Sequence, residues 1–234
     1  MLIFTRELTF RSIRRCAAGV MLPFLAASLV AETPVTGEVG FKLVDIKSID
    51  PSIAVELRYG GTHNIMRRPL YPPSMPALIQ PGVGQQLAGA QRFLRLYKFG
   101  IKIWDAYRPK SVQSQLWQFA HNDLYVANPE SGVGSLHTWG VAVDATLVDA
   151  WGQSVLMPTD FDDFTPAAML RYPRMDSLIR SHLRLLQMAM GRNGFYGLRT
   201  EWWHFCTQKW KEYLASRDTQ VTQHSRQQQS GGKL

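Results

Sequence analysis

Cysteine is scarce: the 234 residues hold two, Cys16 and Cys206, which excludes a disulfide-stapled scaffold and a four-cysteine zinc module. Charge is sparse too, at 19% of residues, and no basic stripe interleaved with aromatics runs through the chain. The net charge of +8 sits mostly at the ends. Residues 1–31 carry +3 (Arg6, Arg11, Arg14 and Arg15 against Glu7) and the stretch from residue 214 carries +2, so only +3 remains for residues 32–213. That balance argues against nucleic acid as a partner. A long hydrophobic run is also missing. The most apolar stretch, from Cys16 to Ala31, is interrupted by Gly19, Pro23 and Ser28 and falls short of the ~20 residues of a membrane span.

That stretch follows Arg14-Arg15 and ends in small residues, Ala26, Ala27, Ser28 and Ala31, so residues 1–31 read as a secretory signal peptide cleaved after Ala31. A retained membrane anchor is the alternative. Cys16-Ala17-Ala18 after the arginine pair is a poor twin-arginine match, and Ser12-Ile13-Arg14-Arg15 is no lipobox. Export, with the periplasm as destination, is the expectation, with no stable membrane span left after cleavage. Cys206 would then be a lone thiol, which suits an oxidising compartment. Residues 214–234 are polar and Gln-rich and predict a disordered tail, because they offer too little apolar area to offset ordering entropy.

Between the ends, helical and strand-like patterns alternate. Ile53 to Leu57 predicts a short strand, and residues 60–82 an irregular segment rich in Gly and Pro. Leu87, Ala90, Phe93, Leu94 and Tyr97 recur at helical spacing over Gln85 to Lys98, with Gly100 expected as the left-handed cap. Ile101 to Trp104 predicts a strand. Pro109 opens a helix to about His121 with Val112, Leu116, Phe119 and Ala120 inward. Trp139 to Val148 is strand-like, and Ile179, Leu183, Leu186 and Met190 mark a helix closed by Gly191 or Gly194. Phe195–Leu198 and Glu201–Cys206 suggest a terminal hairpin. The whole predicts a single α+β domain with a small, mostly antiparallel sheet flanked by helices.

The most informative run is Ser135-Leu136-His137-Thr138-Trp139-Gly140-Val141-Ala142-Val143-Asp144. Val141 and Val143 would share one face of a strand, Ala142 and Asp144 the other. A carboxylate there needs a cation or hydrogen-bond donors. His137, an odd seven residues earlier, can reach the same point only from a bend before the strand, which Gly140 permits. Glu201-Trp202-Trp203-His204 adds a second imidazole and another carboxylate. Two imidazoles and one carboxylate with an open position is the pattern of a catalytic zinc, leaving Glu201 to take a proton from its water. The plain alternative makes His204 a hydrogen-bonded core histidine and Glu201 a solvated charge.

With these motifs and Trp104-Asp105-Ala106-Tyr107-Arg108-Pro109, the sequence resembles the zinc D-alanyl-D-alanine dipeptidases of the vancomycin-resistance type, in the Hedgehog/D,D-peptidase fold group, over roughly residues 42–212. The resemblance implies one Zn2+ per chain in a peptidase domain spanning 32–213, held by His137, Asp144 and His204. Glu201 would be the general base and Arg108 the oxyanion stabiliser. It implies that Asp162 and Asp105 receive the substrate's ammonium, and that Ser135 and Tyr59 hold its terminal carboxylate. Arg108 could instead form a surface salt bridge, and Asp105 could cap the helix after Pro109. Tyr71 is a further candidate hydroxyl. Trp139, Trp151, Trp202 and Trp203 are expected as core or pocket wall. After Tyr59 the chain departs from the family's pattern, with His63 at a place often acidic and Asn64 preceding Ile65 rather than an aromatic. The implied activity is hydrolysis of the D-alanyl-D-alanine dipeptide. The alternatives are a D,D-carboxypeptidase or endopeptidase on longer peptidoglycan stems, and a non-catalytic zinc-binding module.

Overall fold

The computed structural model describes residues 35–36 and 40–216. The expected signal peptide, Cys16 and most of the expected tail lie outside the described residues. Strands β1 (Val35–Thr36) and β2 (Lys42–Asp45) are followed by a one-turn helix α1 (Ile46–Ile49), whose N-cap Asp45 accepts from the Lys47 amide. Strand β3 (Ala54–Val55), a 3-10 turn Arg58–Gly60 and strand β4 (Leu78–Ile79) lead into helix α2 (Pro81–Arg95). Next come β5 (Phe99–Asp105), α3 (Lys110–Ala120), the 3-10 turn Leu136–Trp139 and β6 (Ala142–Asp149). Helix α4 (Ser177–Arg192) and the hairpin β7 (Phe195–Gly197) and β8 (His204–Thr207) follow. Residues 210–216 are helical, so ordered chain extends past residue 213, and the first three residues of the expected tail are structured.

Five strands form the main sheet in the order β3-β5-β6-β8-β7. Only β3 and β5 run parallel; the other neighbours are antiparallel. The α+β architecture with a mostly antiparallel sheet is therefore as expected. A second, three-stranded sheet, β1-β2-β4, contains β4, which is too short to carry a periodic signal. Central strand β6 is covered on both sides. Val143, Ala145 and Leu147 enter the apolar core with Leu87, Leu94, Leu186 and Met190 of α2 and α4. By strand alternation Asp144 faces the other way.

Beneath that other face lies an aromatic floor. Trp104 meets Trp202 at 5.5 Å, Trp202 meets Trp203 at 5.6 Å, and Tyr59 meets Phe161 at 5.3 Å, all edge-on. Such pairs add to the area each ring buries. Trp202 and Trp203 are core, as expected, whereas Trp151 is 84% exposed on the turn after β6.

Local expectations shift at α2 and α3, and at α4 one of two alternatives holds. Helix α2 ends at Arg95, and the left-handed residue after it is Lys98 (φ 63°), not Gly100. Gly100 lies within β5, where a Cβ would crowd Gln91 Nε2 at 3.3 Å and Val148 Cγ2 at 3.4 Å. Tyr97 therefore falls beyond the helix and is half exposed. Phe119 of α3 is 54% exposed, since the inward stripe of that short helix is Val112, Gln113 and Leu116. Helix α4 runs through Gly191, and Gly194 (φ 84°) makes the left-handed turn into β7.

Candidate metal centre and active site

A β-bulge in β5 places the site. Ile103 pairs with Ala145, yet Asp105 pairs with Asp144, so Trp104 is the extra residue. Without the bulge Trp104 would stand opposite Asp144. Asp144 pairs in turn with His204 of β8, which lines up Asp105, Asp144 and His204 across three adjacent strands. Two carboxylates facing each other across strands repel. The Arg108 guanidinium offsets this: Nη2 lies 2.7 Å from Asp105 Oδ2 and 3.5 Å from Asp144 Oδ2.

His137 arrives from the 3-10 turn before β6, as its odd spacing from Asp144 requires. Gly140 closes that turn at φ 65°, and a Cβ there would lie 2.6 Å from Leu43 Cδ2. The turn is clamped to the loop after β5. The Arg108 amide donates to the His137 carbonyl at 3.2 Å, and His137 Nδ1 lies 2.8 Å from the Ala106 carbonyl. Donation from Nδ1 leaves the Nε2 lone pair facing inward, the outer-shell arrangement common for metal-binding histidine.

His137 Nε2, His204 Nδ1 and Asp144 Oδ1 converge. The two ring nitrogens are 3.1 Å apart, and the carboxylate oxygen is 3.4 Å from the first and 3.0 Å from the second. Tetrahedral bonds of about 2.0–2.2 Å to N and O ligands set neighbouring ligand atoms about 3.3 Å apart. The three donors thus fit a divalent ion, and all three residues are buried. Burial lowers the His204 ring's pKa despite the Asp144 charge beside it, which favours the neutral form that can ligate. Burial pushes the Asp144 carboxyl up, but the His137 and His204 rings outweigh this and hold it well below the usual range.

Glu201 stands just before β8, buried, lining the same cavity but outside the ligand cluster. Burial, then the charges of Asp144 and Asp162, push its carboxyl well above the ordinary range against the pull of Arg108. The cavity has a volume of about 220 Å³ and is lined by Tyr59, Arg108, Ser135, His137, Asp144, Asp162, Glu201 and His204. Eight of the nine site residues expected from the sequence therefore meet in one place.

The ninth, Asp105, does not line the cavity. It is fully buried, and its carboxylate is already engaged: Oδ2 accepts from Arg108 Nε at 2.8 Å, and Oδ1 accepts from the Tyr71 hydroxyl. It holds Arg108 and is not placed to meet an ammonium. Nor does it cap α3, whose N-cap is Pro109 without a side-chain bond. Tyr71 likewise sits one layer back. Arg108 itself is buried, not a surface ion pair. Tyr59 has one phenolic hydrogen and gives it to Asp162 Oδ1 at 3.2 Å, while its ring lies 5.0 Å from the Arg108 guanidinium. Tyr59 thus orients an acid and a base instead of offering a free donor to a carboxylate. Asp162 Oδ2 accepts from the Ile65 amide at 3.0 Å, and burial raises the Asp162 pKa to about 7. Of its acidic neighbours, Asp160 pairs with Arg58, and Asp163 does not line the cavity. His63 is exposed, beside Asp160 and Asp163, and does not line the cavity.

Two further features lie outside the sequence motifs. Gln113 accepts from Arg108 Nη1 at 2.9 Å and donates to the Ala127 carbonyl at 2.6 Å, tying the guanidinium to the cavity wall. A polar residue on the Val112–Leu116 face of α3 was the available signal. Tyr125 and Phe164, which also line the cavity, stack with centroids 4.6 Å apart and planes 15° apart. No local pattern marks that pair.

Comparison with known proteins agrees with the motifs. A family model described as D-ala-D-ala dipeptidase matches residues 40–225. The chain is 32% identical over 164 residues to a D-alanyl-D-alanine dipeptidase of Escherichia coli K12, covering 70% of this chain and 83% of the relative. It is 26% identical over 140 residues to a D-alanyl-D-alanine dipeptidase of Enterococcus faecalis V583, covering 53% of this chain and 69% of that one. A solved structure described as VanYB in complex with D-alanine-D-alanine aligns loosely, with a TM-score of 0.40 and 15% identity over 67% of this chain and 90% of the other. The match across residues 40–225 and the similarity to the E. coli relative establish that the chain belongs to the D-Ala-D-Ala dipeptidase family and is a peptidase.

Proposed function

We propose that this enzyme hydrolyses the free dipeptide D-alanyl-D-alanine to two D-alanines, using one zinc per chain held by His137, Asp144 and His204. The observation that carries the reading is the convergence of three ligand atoms at 3.0–3.4 Å beside a buried carboxyl, Glu201, that is not one of them. Zinc held there would supply a Lewis acid and would lower the pKa of its bound water to about 7. Glu201, its proton affinity raised by burial, takes the proton of the attacking water and delivers one to the leaving amine. Arg108 presents its fork to the carbonyl oxygen as negative charge builds there, already fixed by Asp105 and Gln113 before substrate arrives. Asp162 receives the substrate's ammonium, and Ser135, which lines the same cavity, meets its carboxylate.

The relatives' names and the cavity's size support a dipeptide. At about 220 Å³ the cavity is smaller than the ~300–1,000 Å³ of sites for drug-sized ligands. A stem-peptide carboxypeptidase would need an open amino side, where the charge of Asp162 instead suits a free ammonium. A zinc-binding module without catalysis would have no need of a buried Glu201 and a preset Arg108.

We also place the enzyme outside the cytoplasm, on the signal-like residues 1–31, where it would scavenge dipeptides released from the wall. No described helix is long and apolar enough to cross a membrane. Amine release from D-Ala-D-Ala, L-Ala-L-Ala and a stem pentapeptide, measured alongside metal content, tests the activity. Fastest turnover on D-Ala-D-Ala with stoichiometric zinc is expected, and faster cleavage of the pentapeptide overturns the substrate assignment. Cell fractionation tests the location: activity confined to cytoplasm contradicts it.

A further inference from the structure

The segment between α3 and the His137 turn is fastened to the site. Asn122 starts a compact turn, its carbonyl accepting from the Tyr125 and Val126 amides at 3.1 and 2.9 Å and its side chain from the Leu124 amide at 3.0 Å. One turn later the Ala127 carbonyl accepts from Gln113, the side chain that also holds Arg108. Further along, Trp139 Nε1 donates to the Val133 carbonyl at 2.8 Å. Tyr125 stands in this fastened stretch and stacks on Phe164, two residues beyond Asp162, with both rings lining the cavity. Two chain segments distant in sequence are thus closed against each other by a pair of flat, half-buried rings.

We infer that the Tyr125–Phe164 stack is a specificity element that closes the amino side of the cavity and restricts the enzyme to free dipeptides. The inference rests on the proposed hydrolysis and on Asp162 as the ammonium receptor. With the ammonium at Asp162, a residue appended to it must pass the wall formed by Phe164 and Tyr125. Two effects then reject a longer substrate. Its amide carries no positive charge to balance the Asp162 carboxylate, and the stacked rings block its path. Rings held by each other and by a hydrogen-bonded turn yield less than single flexible side chains would, so the block is steric and fixed. Because Ala127 is tied through Gln113 to Arg108, displacing the wall also displaces the guanidinium, so a substrate that forces entry meets a misplaced oxyanion donor.

The test measures kcat/KM on D-Ala-D-Ala and on a tripeptide with one more residue at the amino side, for the wild type and for Phe164→Ala, Phe164→Leu, Tyr125→Ala and Tyr125→Phe. The two alanine variants are expected to raise the tripeptide-to-dipeptide ratio about tenfold or more, the usual reach of a shape-based barrier. Phe164→Leu keeps apolar volume without a flat ring, shifts the ratio the same way, and serves where the alanine variant does not fold. Tyr125→Phe keeps both rings and holds the ratio near the wild-type value, which a hydrogen-bonding role of the hydroxyl would not allow. An unchanged ratio in folded Phe164→Ala or Phe164→Leu enzyme that still cleaves the dipeptide overturns the inference. A wild-type enzyme that releases no D-alanine from the dipeptide overturns the proposed hydrolysis itself, a result distinct from an unchanged ratio.

Discussion

Asp105 grips Arg108 through two guanidinium nitrogens on one carboxylate oxygen, Nε at 2.8 Å and Nη2 at 2.7 Å, while its other oxygen takes the Tyr71 hydroxyl. Such bonds to a charged group contribute about 1.5–3 kcal/mol each. An acid bound this way positions a base and is not free to bind substrate.

Asp105→Asn is therefore expected to lower kcat by about 10- to 100-fold with KM nearly unchanged, since the interaction it supports strengthens only as charge develops on the substrate. Steady-state kinetics on D-Ala-D-Ala decides. A rise in KM at unchanged kcat would mean that Asp105 meets the ammonium after all.

Glu201→Gln should keep its zinc and lose about 10²- to 10⁴-fold in turnover, the usual contribution of a general base. His204→Ala should lose the metal instead, since it removes one of three donors. Metal content and activity measured on the same preparations separate the two roles. Near-normal turnover in Glu201→Gln removes Glu201 as the base.

Asp162 introduces a pH dependence. Its carboxyl is raised from 3.8 to about 7, chiefly by burial. Below about pH 7 it is protonated and cannot pair with an ammonium, so KM for the dipeptide rises as pH falls through 7. The same shift affects stability with a defined sign. Between 3.8 and about 7 the native state keeps a proton that the unfolded chain has released, so this group's contribution to stability declines as pH rises across that window. Asp162→Asn should flatten both profiles. A KM profile through pH 7 that is the same in wild type and variant contradicts the role.

Gly140→Ala is expected to destabilise the fold by about 1–3 kcal/mol, from a non-glycine residue at positive φ and a methyl group against Leu43. Because the turn that Gly140 ends carries His137, zinc retention should weaken in parallel. Urea unfolding and metal content of the variant check both, and a wild-type midpoint with full zinc would contradict the reading.

The parts of the site legible in the sequence were those where one residue type had one physical solution. An odd spacing between His137 and Asp144, with Gly140 between them, left only a bend followed by a strand. Asp105 was harder, because the same carboxylate can bind an ammonium, cap a helix or hold an arginine. The bulge at Trp104, which decides the matter, has no local signature in the strand Phe99–Asp105. The resemblance points Tyr59 at the substrate's carboxylate, yet its hydrogen goes to Asp162, a partner 103 positions away. Long-range pairings of this kind, including Tyr125 with Phe164, are set by the folding of irregular segments that local periodicity does not describe. The helices and the hairpin followed their patterns. The misplaced details, Phe119 and the cap after α2, lie at helix ends, where few contacts hold a residue to one arrangement.

The most direct test removes metal with a chelator and titrates zinc back while following D-alanine release from D-Ala-D-Ala. Activity should vanish with the metal and return linearly, reaching its plateau at one zinc per chain. Full turnover by the metal-free protein, or a plateau that requires two ions, would contradict a single centre built from His137, Asp144 and His204.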